Sequence, residues 1–350
     1  MLAIMEQWDG ENGCHWSKID KYLLLLILKL GMDASVFYLC CQKLYKFFVN
    51  MCSLSIVLFD LLLVFLMATV WLLGTEKSLM SPCFILANAS AAYGALPLPM
   101  MFLGLLDYCL QDAVLCNQNS FLKPATNAIL TLLMWILVVT YTFSPVQNKQ
   151  MELDNVTQTI LVVCKVDGSI VVTYFVVGLF TGIICTMLPF CTLIPFWLKE
   201  ANRISIAREG QEKKRSDLFT STTCIFEKGS EKIYLEETNW PRPPLWISLT
   251  LGFGLFWMPY LAVSVVCLLL HFGVPAYLTV NILWLECANS FLLGLVFWVK
   301  SKTQGPYSHV PENMCTWHVF WHLSKGTQRQ TNFVAVLNSS KEKENTFFCV

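Results

Sequence analysis

Charge is scarce in this chain of 350 residues. Asp, Glu, Lys and Arg make up 14% of it, against 55% hydrophobic residues, where a soluble domain carries about a quarter charged. A soluble helical protein would need charged faces on most of its helices, and the long apolar stretches lack them. Histidine is scarcer still. His15, His271, His309, His318 and His322 fall in tails or at helix ends and form no zinc-hydrolase spacing, and there is no CxxC pair. No metal site is expected, and nothing resembles a catalytic constellation, so the chain is not read as an enzyme. Nucleic acid is not an expected partner either. No cleavable leader is expected: residues 1–18 carry Glu6, Asp9 and Glu11 in place of a basic segment followed by an apolar one, so the first apolar run is expected to act as its own insertion signal. No internal repeat links the first half of the chain to the second, which disfavours an inverted-repeat transporter.

What stands in place of charge is seven apolar runs, at 19–45, 47–73, 82–110, 125–143, 170–198, 245–272 and 276–299. A helix rising 1.5 Å per residue needs about 20 apolar residues to cross the hydrocarbon layer. Lipid cannot satisfy backbone polar groups, so runs of this kind cross as helices. The expected fold class is an all-α membrane protein, a seven-transmembrane helix bundle over 19–299, with its two ends on opposite sides. Placing 1–18 outside leaves 18 Lys/Arg inside (Lys43, Lys46, Lys123, nine in 199–243 and six from Lys300 onward) against five outside, with Lys29 in the first span. That bias follows the positive-inside rule and makes the N-terminus extracellular and the C-terminus cytoplasmic. The tail 1–18 is too short for a folded ligand-binding domain. The stretch 199–243 is a charged cytoplasmic loop, closed by Pro241-Arg242-Pro243-Pro244, which fits a helix start. The tail 300–350 is polar and reads as largely disordered.

Fifteen cysteines are sorted by this topology, which leaves only Cys14, Cys83 and Cys164 outside. Cys83 begins the third span and Cys164 sits in the longest outer loop, 144–168, so an oxidising exterior makes them the expected disulfide and leaves Cys14 unpaired. Such a bond folds the loop over the mouth of the bundle. Asn155-Val156-Thr157 is a glycosylation sequon in the same loop and marks Asn155 as the expected acceptor. Asn88-Ala89-Ser90 lies within a span and Asn338-Ser339-Ser340 in the cytoplasmic tail, so neither is expected to be used.

Counting 24 residues on from Cys83 reaches Asp107-Tyr108-Cys109 at the inner end of the third span. Asp60 lies in the second span and Trp135 in the fourth. The sixth reads Phe253-Gly254-Leu255-Phe256-Trp257-Met258-Pro259, and the seventh Asn289-Ser290-Phe291-Leu292-Leu293. Together, in these spans and in this order, they resemble the rhodopsin-like (class A) G-protein-coupled receptors, which carry an acid-Arg-aromatic triplet, Phe-x-x-Cys-Trp-x-Pro and Asn-Pro-x-x-Tyr at these places. Asp60-Leu61-Leu62-Leu63, Pro275-Ala276-Tyr277, Asn281 and Trp284-Leu285 extend the resemblance to one orphan receptor of that family. The resemblance implies a multi-pass plasma-membrane receptor whose switch residues are Asp107, Tyr108, Cys109, Phe253, Trp257, Pro259 and Asn289. It implies an extracellular ligand, membrane lipids and a heterotrimeric G protein or arrestin as partners.

Departures from that pattern qualify the expectation. Tyr108 stands where the family has Arg; a phenol donates one hydrogen bond and lacks the charge and five-donor fork of a guanidinium. Ser290 and Leu293 replace the Pro and Tyr of the seventh span. Atypical or weak G-protein coupling follows, and a receptor-shaped scaffold or scavenger is the alternative. The spans also hold acids: Asp33, Asp60 and Glu286, with Glu286 one turn before Asn289 on a shared helix face. An ionised acid at mid-bilayer costs about 2.5–3.5 kcal/mol on insertion scales, so these must be paired, hydrated or protonated. Lys29, four residues before Asp33, is a candidate partner. A sodium ion near Asp60 is the one cofactor the resemblance suggests, although Pro97 replaces a serine that related receptors use for it. A structural polar network and ion or proton sensing both remain open, the latter including an ion- or proton-linked transporter or channel. Ser90 lies where amine receptors place an acid, and the seventh span has no lysine, so neither a biogenic amine nor retinal is the expected ligand; a peptide or lipid fits. Ser90, Gly94, Trp257, Tyr260, Ser264 and Thr279 form the expected pocket.

Overall fold

A computed structural model of the chain describes residues 2–9, 15–17, 19–40, 48–73, 81–113, 122–143, 151–154, 159–166, 168–220, 241–270, 272–304 and 315–325. Among them, seven helices are long and apolar enough to cross a membrane: Ile19–Leu39, Phe48–Leu73, Pro82–Cys109, Pro124–Thr142, Ile170–Phe190, Leu245–Leu269 and Ile282–Lys300. Their outward faces are themselves apolar. Leu28, Phe65 and Leu137 are each 60% exposed or more, which suits acyl chains rather than water. Polar side chains on the spans turn back onto their own helices: Ser53, Thr131 and Thr142 donate to the carbonyls of Val49, Asn127 and Val138. This satisfies hydroxyls where lipid offers no partner.

The elements run in order β1 (Leu2–Asp9), β2 (His15–Ser17), α1 (Ile19–Cys40), α2 (Phe48–Leu73), α3 (Pro82–Ala95), α4 (Pro97–Ala113), α5 (Leu122–Phe143), β3 (Met151–Asp154), β4 (Thr159–Lys165), α6 (Ile170–Met187), α7 (Ile194–Thr220), α8 (Leu245–Leu269), α9 (Ala276–Thr279), α10 (Ile282–Gln304) and α11 (Trp317–Lys325). Prolines punctuate the third span. Pro97 and Pro99 have no N–H to give to the carbonyls of Tyr93 and Ala95, so α3 and α4 meet at Leu96, which keeps its own bonds to Ala92 and from Met100 at 3.1 Å each. A 3-10 turn, Leu188–Phe190, separates α6 from α7.

Three features depart from the sequence reading. First, α7 runs through to Thr220, deep into the stretch read as a cytoplasmic loop. Second, the seventh span is broken: Val280 is extended at φ −87° and ψ 90°, and α10 starts afresh at Ile282. Third, the helices are joined by a sheet that an all-α reading does not contain. It has four antiparallel strands in the order β2-β1-β4-β3, with Leu2 opposite Lys165 and Ala3 opposite Cys164. The short N-terminal segment thus supplies two strands. Pairing it with the 144–168 connection puts both on one side of the membrane, as four intervening spans require.

The described chain divides into two compact units, 1–180 with 259–296, and 181–258 with 297–350. In the first, α1 packs on α2, α2 on α3, α4 and α5, and α3 on α5 and α9. Trp135 is the hub: its ring lies 4.5 Å from that of Phe59 and 6.3 Å from that of Tyr93, and its Nε1–H donates to Ser55 Oγ at 2.9 Å. In the second, Trp197 stacks near Phe190 at 5.8 Å and donates to the Pro241 carbonyl at 3.2 Å, and α11 packs along α7.

Candidate functional site

Lys29 and Asp33 are one turn apart on α1 and both point inward; Lys29 is 4% exposed and Asp33 0%. Lys29 Nζ lies 3.3 Å from Asp33 Oδ2 and is also hydrogen-bonded to Asp60 Oδ1 on α2. Asp60 Oδ1 accepts a second bond from the Tyr93 hydroxyl at 2.6 Å, and the ammonium sits 4.6 Å from the centre of the Tyr93 ring. Asp33 Oδ1 accepts from the Ile282 N–H at 3.0 Å, the first residue of α10.

These contacts explain how two acids survive in an apolar interior. Two carboxylates and one ammonium leave one negative charge in excess. A helix N-terminus carries about half a positive charge and unsatisfied N–H groups, and Asp33 is placed on that of α10. The break at Val280 and Asn281 is what exposes that N-terminus within the first unit, and the Asn281 side chain caps it further by accepting from Trp284 N at 2.9 Å. Asp60 is balanced by the Lys29 ammonium and by the Tyr93 phenol, whose ring in turn faces that same ammonium. A sodium ion is the occupant that the resemblance suggests beside Asp60; here the chain sets its own lysine against that carboxylate.

Glu286 is placed with different partners. Its Oε2 accepts from Asn289 Nδ2 at 3.5 Å, and Asn289 Oδ1 accepts from the Tyr108 hydroxyl at 2.5 Å. Tyr108, 6% exposed, therefore turns into the first unit and ties α4 to α10. Asp107 accepts from the Phe48 N–H at 3.1 Å, capping the start of α2, while Cys109 is exposed. Both members of the pair at the base of the third span are thus held by the protein itself. Ser290 and Leu293, in place of Pro and Tyr, are buried, and α10 runs through them unbroken.

At the sheet end of the first unit, Cys83 and Cys164 are disulfide-bonded with their Cα atoms 5.5 Å apart. Ser81 caps α3, its side chain accepting from Phe84 N at 3.1 Å. The bond ties the start of α3 to strand β4 and, through β4, to β1. Of the expected pocket residues, Ser90 and Gly94 lie on α3, with Ser90 1% exposed and Gly94 facing Ala276 of α9. Ser264 and Thr279 donate to backbone carbonyls of Tyr260 and Ala276. Tyr260 belongs to the first unit; Phe253 and Trp257, both buried, belong to the second, and Pro259 is the proline inside α8. Asn155 and Cys14 lie outside the described residues. Sequence reasoning missed Tyr93, whose only signal was a polar ring in an apolar run, and the Ile282 N–H, which as backbone has no residue signal at all.

The chain is 24% identical over 285 residues to a human protein named "Probable G-protein coupled receptor 160", an alignment covering 79% of this chain and 76% of that protein. The rat protein of that name is 25% identical over 223 residues, 62% and 59% of the two chains, and the mouse protein 43% identical over 42 residues, 12% of each. No family model and no solved structure matches the chain. The similarity over most of both chains, with seven apolar helices, supports a G-protein-coupled receptor and a multi-pass membrane protein.

Proposed function

We propose that this chain is a rhodopsin-like G-protein-coupled receptor of the plasma membrane, with 1–18 outside and 300–350 in the cytosol. It transmits an extracellular ligand, a peptide or lipid rather than an amine or retinal, by shifting populations among arrangements of its helices. Its ligand is received at the end carrying the sheet and the Cys83–Cys164 bond, near Ser90, Gly94, Tyr260, Ser264 and Thr279. Its coupling to G proteins is weak. The observation that carries this last point is the Tyr108 hydroxyl donating to Asn289 at 2.5 Å. Where the family presents a guanidinium to the G protein, this chain holds a neutral phenol engaged inside the first unit. A hydrogen bond from a charged donor contributes about 1.5–3 kcal/mol, so its loss lowers coupling by roughly one to two orders of magnitude. The basic residues Lys199 and Arg203 on α7 attract an acidic partner, but that attraction is screened by salt and is no conformational switch.

Nucleotide exchange on purified G proteins tests the reading. Wild type is expected to give weak exchange, Tyr108→Arg to raise it about tenfold, and Tyr108→Phe to leave it low, since phenylalanine breaks the bond to Asn289 without supplying a cation. Wild-type exchange as fast as that of ordinary receptors, unchanged by Tyr108→Arg, would overturn it. Asp107 and Tyr108 both being engaged internally favours one second reading, a receptor-shaped scaffold; no exchange from any variant at normal surface expression is its signature.

A further inference from the structure

Helix α11 is only nine residues long, below the length at which a helix holds its form alone in water. Yet Trp317, Val319, Phe320, Trp321 and Leu323 are each 7% exposed or less. Its form therefore comes from the surface that covers it, and that surface lies in its own unit. It packs along α7. On the first turns of α8, Ser248 Oγ donates to the Phe320 carbonyl. One turn further, the Phe320 ring rests against the bare backbone of Gly252, so closely that a Cβ there would come within 2.7 Å of Phe320 Cε2. At the end of α10, the Phe297 ring meets that of His318 at 6.3 Å. Glycine is the poorer helix former in a span interior, and its place at 252 is what lets the aromatic ring approach.

We propose that the cleft formed by α7, the start of α8 and the end of α10 is a docking surface for an amphipathic aromatic helix, and that α11 is its resident occupant. A partner on this face presents a helix of the same character and engages only after α11 has left. That the face is the cytoplasmic, partner-facing one rests on the receptor reading; the seat of α11 does not. The seat is tight but not free of strain. The indole N–H groups of Trp317 and Trp321 are buried with no hydrogen-bond partner among the described residues, which subtracts from the gain of burial. Thr316, just before the helix, is held at φ 44°, a left-handed conformation that β-branched residues avoid. Against this, only ten residues, 305–314, join α10 to Cys315. A short tether raises the local concentration of α11 to about the millimolar range, so a partner must bind well or arrive where α11 is already loosened.

The test uses the full-length protein in nanodiscs and two readouts. Cys315 is 1% exposed, so maleimide labelling followed on its own proteolytic peptide reports release of α11. Gly252→Ala, which strengthens α8 while colliding with Phe320, is expected to raise that labelling rate at least tenfold, as is Phe320→Ala. The double variant is expected to be no faster than the quicker single one, because both act through one contact. The second readout is a fluorescent peptide of residues 315–325 with Cys315→Ser. It is expected to bind the Phe320→Ala protein, whose cleft is vacated and intact, and to bind neither wild type nor Phe320→Ala with Gly252→Ala. Equal labelling in all four proteins, or peptide binding that ignores Gly252→Ala, overturns the proposal. Peptide binding as described with basal nucleotide exchange flat in every variant supports the cleft and counts against the receptor reading.

Discussion

Replacing Lys29 by methionine is expected to lower stability by about 3–5 kcal/mol, the usual cost of removing one partner from a buried ion pair, and to strip most of the protein from the cell surface. Methionine matches the lysine in length, so packing changes little; what changes is charge. Asp60 loses the ammonium and keeps only the Tyr93 hydroxyl, and Asp33 keeps the Ile282 N–H. Adding Asp60→Asn removes the stranded charge, so the double variant is expected to recover part of the loss, a coupling that independent sites do not show. Asp60→Asn alone is expected to leave expression largely intact while shifting the balance of conformations. Surface labelling and thermal unfolding in detergent measure all of this. The same unfolding assay reads the cation question: with Lys29 against Asp60, wild-type stability is expected to be indifferent to replacing potassium by sodium. A sodium-dependent rise in wild type would show that the lysine does not fill that role. A Lys29→Met protein as stable as wild type would show that the pair contributes nothing net.

The second large effect is expected from the disulfide. Cys83→Ser and Cys164→Ser should each reduce surface expression severely and to the same extent, with the double variant no worse than either. The bond spans 81 residues of sequence, and in the chain-entropy view a loop of that length is worth about 4.5 kcal/mol. It also anchors β4, and so the whole sheet, to the start of α3. Additive losses in the double variant would mean that each cysteine acts on its own. Proteolysis of the N-terminal segment should rise in both single variants, because β1 is held by β4.

The spans were legible because the signal is local and long: an apolar run of about 20 residues leaves few structures in lipid. Lys29 and Asp33 were legible as a pair because residues four apart share a helix face. Asp60 as a further partner of Lys29 was not, since it depends on how α1 and α2 are rotated against each other. Nor was the role of Asp33 at the start of α10, which arises only because the seventh span breaks at Val280, a residue with no propensity to announce a break. Tyr108 was visible as a departure, but not the direction of its hydroxyl. The sheet escaped for a different reason. Its strands are three to eight residues long, too short to show a period, and its central pair joins segments on either side of four spans. Helix α11 escaped because its nine residues sit in a polar tail whose composition argues for disorder.

That central pair has a consequence for how the protein is made. Strand β1 precedes the first span, yet its partner β4 begins at Thr159, about 150 residues later in the chain. At the usual 5–20 residues per second, roughly 8–30 seconds pass before β4 exists. Throughout that interval the edge of β1 that β4 will cover stays unpaired, a surface that recruits stray strands or chaperones. The sheet closes only after the fourth span has inserted and the chain has returned to the starting side, and only then are Cys164 and Cys83 brought together. Oxidation of that pair therefore marks a late checkpoint of assembly. Chains stalled before residue 159 should persist as reduced, chaperone-bound species, not as partly folded bundles.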